Sequence, residues 1–309
     1  MRRFLAGLLL ALGLSTAHAS VGSYLYEHNR AFEAWLTGLD EHRITVNGVS
    51  WHYYARHTKQ AGPCLVLVHG FTAEAANWFR FAMRLNRDGC LIVPDLPGFG
   101  ESDYRPQLPF RIPAQTTRLK DFLAKVKPGG RFDLTGSSMG GHIALRYALD
   151  YPAEVRSLTL FDAGGITSPQ PSDNSRQIAA TGRNSFDIRR REDFEPFLHM
   201  GMHEVPWMPG MVKDHLADQF IARNGRYMAI FAQIYQQDLE DVRVTTLTLP
   251  TLIVWGDQDR LLHVSMATAF QLAIRGSRLV VMPGIGHLPF LESPGKTAGI
   301  YQGFLDGLR

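Results

Sequence analysis

The chain has 309 residues, 45% of them hydrophobic and 20% charged, with a formal net charge of +3. That length and apolar content suffice for a large buried core, while a charge this small gives no basis for a nucleic-acid partner. Two cysteines are too few for a disulfide framework, and the sequence carries neither an internal repeat nor a low-complexity tract.

The amino terminus reads as a targeting segment. Arg2-Arg3 precede an apolar run from Phe4 to Leu14, followed by Ala17-His18-Ala19, which has the charge, length and small-residue site of an export signal. No formally charged residue occurs from Phe4 to Tyr26, so the same stretch is long enough to cross a bilayer of roughly 30 Å. The expectation is a retained inner-membrane anchor with the remaining chain in the periplasm, because positive residues stay cytoplasmic. The alternative is cleavage near Ala19/Ser20 and a periplasmic or secreted product. From Tyr24 to Leu39, Leu25, Phe32, Trp35, Leu36 and Leu39 fall near one helical face, with aromatics suited to a membrane interface. Residues 1–39 are therefore predicted to be an anchor plus an amphipathic juxtamembrane helix.

Next come short apolar strands. Pro63 to Phe71 is a buried strand running into His69-Gly70, and Cys90 to Ser102 is a second strand opening into a Gly/Pro turn. Cys64 and Cys90 begin these two strands. A bridge between them is geometrically conceivable, but buried thiols acting as small apolar side chains are the favoured reading. Phe132 to Thr135 alternate as a strand, and Ile143, Ala144, Tyr147 and Ala148 mark one face of a helix. Between them Gly136-Ser137-Ser138-Met139-Gly140 forms Gly-x-Ser-x-Gly. A turn this sharp strains the serine backbone, and its flanks need glycine because strand and helix approach closely.

A strand ending at Asp162 is followed by residues 166–244, far too long a stretch for a simple connection. Helical patterns run from Asp193 to His199 and from Tyr227 to Leu239, and Arg189-Arg190-Arg191 reads as a solvated helix end. Met200, Met202, Trp207 and Met208 belong to a flexible apolar cluster that can line an acyl tunnel or form the small core of this insertion. Two late strands end in Gly256-Asp257-Gln258-Asp259 and in Gly286-His287. Between them lies room for one helix, Ser265 to Ile274.

These ordered motifs resemble the α/β-hydrolase superfamily over about residues 44–309. The turn from His69 to Trp78 looks like that of bacterial family V lipases and esterases, with the membrane-anchored phospholipase A enzymes of pseudomonads nearby. The resemblance implies an α/β fold, a mostly parallel central sheet flanked by helices. Residues 40–165 and 245–309 would form the catalytic core and 166–244 a helical cap. It implies a triad in the chain order Ser138, Asp259, His287, with Asp259 at the usual fourth position of Gly-x-x-Asp. Asp162 is the competing acid, and Asp257 shapes the turn. The backbone N–H groups of Phe71 and Met139 would serve as oxyanion donors. His69 organises its loop, and His142 is an exposed or packed helix residue.

The activity implied is that of a serine carboxylester hydrolase acting on acyl esters or membrane phospholipids through an acyl-enzyme, with no cofactor and no metal. Membrane lipid is the expected partner; the sequence leaves open whether the chain forms a homodimer. A carbon–carbon bond hydrolase of the same fold, or a non-catalytic binding protein, are the alternatives. Aspartate-nucleophile relatives are disfavoured by Ser138.

Overall fold

A computed structural model describes residues 21–56, 63–85, 89–127 and 129–308. The proposed signal or anchor, residues 1–20, lies outside them. Among the described residues no helix is long and apolar enough to cross a membrane.

Helix α1 (21–37) leads into the hairpin β1 (Asp40–Val46) and β2 (Val49–Arg56). Asn47 and Gly48 join these strands with φ of 50° and 77°, the left-handed pair that a tight hairpin needs to match strand twist. β3 (Leu65–Val68), a short helix α2 (Phe79–Ala82), β4 (Leu91–Pro94) and α3 (Ile112–Val126) follow. Then come β5 (Phe132–Ser137), α4 (Met139–Asp150) and β6 (Val155–Phe161). An insertion carries α5 (Asp173–Thr181), α6 (Phe194–Gly201) and α7 (Gly210–Ile234). The chain closes with β7 (Thr251–Gly256), α8 (Ser265–Ala273), β8 (Arg278–Met282), α9 (Pro289–Glu292) and α10 (Pro294–Asp306).

The strands form one sheet in the order β1-β2-β4-β3-β5-β6-β7-β8. β2 is antiparallel to β1 and β4, and the remaining pairs are parallel. Strands covered on both faces must be apolar throughout, and their side chains alternate between two cores. Val66, Val68, Ile92, Ile253 and Trp255 enter the core beneath α3, α4 and α8. Leu67, Leu91, Val93, Leu252 and Val254 enter the other, with Trp78, Phe81, Phe290 and Tyr301. The chain leaves β3 for β4 on one side and returns to β5 on the other. The carboxyl ends of β3 and β5 therefore border the switch point, where open α/β sheets bind ligands.

One expectation is corrected here. Cys64 and Cys90 are not free thiols: they form a disulfide, with Cα atoms 4.5 Å apart. β3 and β4 are parallel neighbours with Leu65 opposite Leu91, so the residues just before each strand are aligned at bridging distance. The second helix of the insertion pattern also differs. α7 starts at Gly210 and stops at Ile234, before Gln236 and Asp238, whose φ of 53° and 56° are incompatible with a continuing helix.

Candidate active site

Ser138 is the residue between β5 and α4, with φ 55° and ψ −121°, a conformation ordinary L-residues avoid. It is held there by contacts that tolerate only glycine at its flanks. A Cβ on Gly136 would lie 2.1 Å from the Gly140 carbonyl oxygen, and one on Gly140 would lie 2.3 Å from that of His69. The Ser138 amide donates to the Phe161 carbonyl at 3.0 Å, and its own carbonyl accepts from His142 and Gly164. The serine is thus clamped between β6 and the start of α4.

His287 lies just beyond β8, and Asp259 in the loop after β7. Nδ1 of His287 donates to Oδ2 of Asp259 at 2.7 Å. The other carboxylate oxygen of Asp259 accepts from the amides of Leu261 and Leu262 at 2.8 and 2.9 Å. Both residues are buried, so this carboxylate is oriented from two directions and shielded from water. Nε2 of His287 is buried and has no hydrogen-bond partner. It borders the same cavity as Ser138.

Asp162 stands beside this pair without bonding to the imidazole. It is fully buried at φ 43°, and its Oδ1 accepts from the Gly256 amide at 2.8 Å. Burial, followed by the charge of Asp259, pushes its carboxyl well above the usual range. One atom each of Asp162, Asp259 and His287 lie within 4.8 Å of one another. Among the described residues this is the trio with spacing fit for a cation, yet Nδ1 of His287 is already committed to Asp259. Asp257 accepts from the Gly284 amide at 2.8 Å and pins the turns after β7 and β8 together.

His69 is neutral and fixed. Its Nε2 accepts from the Leu96 amide at 2.9 Å, so Nδ1 carries the proton and donates to the Gly70 carbonyl at 2.8 Å. Because the peptide is planar and trans, holding that carbonyl towards His69 turns the Phe71 N–H the opposite way. Gly70 approaches Ser138 so closely that a Cβ there would lie 3.0 Å from the serine Cβ. Met139 opens α4, placing its amide at a helix amino terminus. The Phe71 ring packs on Phe99, Phe186, Tyr227 and Phe231. His142 is a packed helix residue whose Nε2 donates to the Asp238 carbonyl at 2.9 Å.

The cavity over Ser138 holds about 300 Å³. Of the four side chains expected in it, Met202 and Met208 line it, while Met200 and Trp207 do not. Met200, near the end of α6, is half-buried, and Trp207 is 87% exposed. The sequence signal there was a methionine-rich run without periodicity, which cannot say which side chains turn inward. The larger omission was phenylalanine: Phe186, Phe194, Phe197 and Phe220 form the apolar wall. The cap and the histidine loop are also stitched together. Glu292 accepts from the amides of Gly286, His203 and Glu204 at 2.9, 2.9 and 3.0 Å, and the His287 amide donates to Gly201 at 2.9 Å.

A serine forced into this backbone between a strand and a helix, with an imidazole–carboxylate pair returning from later strands, defines one class of hydrolase. The chain belongs to the alpha/beta hydrolase family, whose profile matches residues 65–300. Lipase 3 of Moraxella sp. (strain TA144) is 30% identical over 97% of this chain and 96% of its own length. Lipase 1 of Psychrobacter immobilis is 31% identical over 90% and 86%. A solved bacterial membrane phospholipase A superposes with a TM-score of 0.90 at 34% identity, covering 100% of this chain and 99% of that one. With these relatives, the chain is an ester hydrolase.

Proposed function

We propose that this chain is a membrane-held serine lipase in which Ser138, His287 and Asp259 cleave acyl esters of membrane lipids. The observation that carries the chemistry is the buried, unpartnered Nε2 of His287 beside Ser138. A serine hydroxyl is a poor nucleophile until a neutral imidazole takes its proton. Nε2 accepts that proton as Oγ attacks the ester carbonyl, while Asp259 holds the tautomer and stabilises the imidazolium. The Phe71 and Met139 amides donate to the oxyanion, each contributing on the order of 3 kcal/mol. Collapse expels the alcohol with the proton from Nε2, and water then repeats the cycle on the acyl-serine to release the fatty acid.

Support for the membrane comes from α1. Its Tyr26, Asn29, Arg30 and Glu33 line the cavity, while Leu25, Phe32 and Trp35 turn outward, Trp35 being 71% exposed. A helix with its polar side towards the protein and its aromatic side outward is suited to lie in a bilayer surface. A Cβ on Gly22 would lie 2.1 Å from the Met211 carbonyl oxygen, so α1 presses directly on the start of α7. The disulfide fits an oxidising compartment. The preferred reading is an inner-membrane anchor with the catalytic domain in the periplasm. Lipase relatives favour ester over carbon–carbon cleavage.

Ser138→Ala should abolish both p-nitrophenyl ester hydrolysis and labelling by an organophosphonate in a folded protein. Activity above about a tenth of wild type, against the far larger loss expected for a triad member, would sink the serine mechanism. An intact amino terminus by mass spectrometry, in carbonate-washed membranes, supports the anchor; a mature terminus at Ser20 in the soluble fraction rejects it.

A further inference from the structure

The cavity over Ser138 has two chemically different walls, and α7 divides them. Along α7, Val212, Leu216 and Phe220 recur every four residues and face the apolar side, where Phe220 meets Phe194 and Phe197 at 5.2 and 5.1 Å. The adjacent stripe, His215, Gln219, Arg223 and Tyr227, is polar. It begins at α1, where the His215 and Tyr26 rings lie 5.8 Å apart, and ends at the oxyanion turn, where Tyr227 lies 5.9 Å from Phe71. Gln219 and Arg223 line the cavity between those two ends.

Opposite them stand Arg30 and Glu33 of α1, with Glu74 and Arg80. These charges are committed to different partners. Arg80 is paired with Glu33 at 2.9 Å. Glu74 accepts from the Tyr26 hydroxyl at 2.5 Å, and burial, then the Asp95 charge, pushes its carboxyl above the usual range. Arg30 and Arg223 have their carboxylate partners, Glu27 at 2.6 Å and Glu101 at 3.8 Å, outside the cavity lining. Each half-buried guanidinium gives one terminal nitrogen to its partner outside the cavity and also feels the Glu74 charge, so an anion entering the cavity would meet the remaining N–H groups of the two arginines.

We propose that Arg30 and Arg223, between α1 and the polar stripe of α7, form a headgroup subsite that binds the phosphodiester of a glycerophospholipid whose ester lies at Ser138. A planar guanidinium fork matches two phosphate oxygens, and the acyl chain is left to the phenylalanine wall. The aromatic face of α1 and the face that carries Arg30 lie on opposite sides of one helix. This subsite rests on the lipase reading above and gives it a substrate class.

The test is the ratio of kcat/KM for dihexanoyl phosphatidylglycerol to that for dihexanoylglycerol, which carries the same acyl chains without phosphate. Wild type should favour the phospholipid, and Arg223→Gln and Arg30→Gln should each lower the ratio by about 10- to 100-fold, the range for a lost hydrogen-bonded charge. Arg223→Lys, which keeps charge without the fork, should fall between. Should one glutamine variant not fold, the other reads the same ratio. A wild-type preference for dihexanoylglycerol, or a ratio unchanged in the folded variants, overturns the proposal while leaving the serine mechanism in place. Inhibition by inorganic phosphate without any phospholipid preference assigns the arginines to a free anion and also overturns it. Cleavage of neither substrate by wild type removes the lipase reading itself.

Discussion

Two aspartates sit beside His287, and burial alone does not distinguish them. What separates their roles is hydrogen-bond supply. Asp259 receives two amides on one oxygen and the imidazole on the other, which holds the imidazole in one orientation. Asp162 receives a single amide and faces the Asp259 charge, which favours the neutral acid. Asp259→Asn should therefore lower kcat by about 10³–10⁴-fold, because an amide permits the wrong tautomer. Asp162→Asn should cost far less. Steady-state kinetics of both variants decide it, and the reverse ranking would move the acid to β6. His142 sets a different pH dependence. Burial, against its bond to the Asp238 carbonyl, pushes its imidazole down to about 4 from 6.5. The unfolded chain then binds a proton that the folded chain refuses. Stability should fall as pH drops from about 6.5 towards 4, by on the order of 3 kcal/mol from this group. Urea midpoints across that window should flatten in His142→Gln; an unchanged slope would assign the acid sensitivity elsewhere.

Between elements, the decisive contact is that of the α6 end with the histidine loop. A single carboxylate, Glu292, gathers three amides from two segments, and Gly286 fits only because it has no side chain: a Cβ would lie 2.6 Å from the His203 nitrogen. Cap position and imidazole position are thus one variable. Glu292→Gln keeps the shape but replaces one accepting oxygen by a donor, so either the cap or the loop must give. The expected result is a roughly 10- to 100-fold loss of kcat from misplacement of the base, with faster proteolytic cutting around residues 201–204. Wild-type kcat in this variant would show that the latch is unnecessary. α1 makes the same point from the other side of the cavity. An isolated amphipathic helix gives no indication of which face meets protein, and here its polar face is occupied by Glu74, Arg80 and the cap.

For the molecule as a whole, the disulfide ties β3 to β4 at their amino-terminal ends. Closing a loop with a sequence separation of 26 restricts the unfolded chain and contributes about 3 kcal/mol. Cys64→Ser with Cys90→Ser should lower the urea-unfolding free energy by about that amount while sparing kcat, because the bridge lies at the amino-terminal ends of strands whose carboxyl ends carry the site. Loss of activity at full stability would contradict that separation.

The order of short apolar strands, the glycine-flanked serine and the positions of Asp259 and His287 are local patterns. Strand burial, turn strain and close approach each leave a signature within a few residues. The sequence alone therefore determined the α/β architecture and singled out Ser138 and His287 as candidate nucleophile and base. The hairpin at Asn47-Gly48 is equally local. What depended on distant segments meeting was settled only by the folded chain: the bridge between Cys64 and Cys90, the burial of Asp162 beside Asp259, the inward turn of Met202 and Met208 but not Met200 or Trp207, and the division of α7 into polar and apolar stripes. Each of these follows from a partner that lies across the sheet, the cap or α1, and no spacing along one segment encodes it.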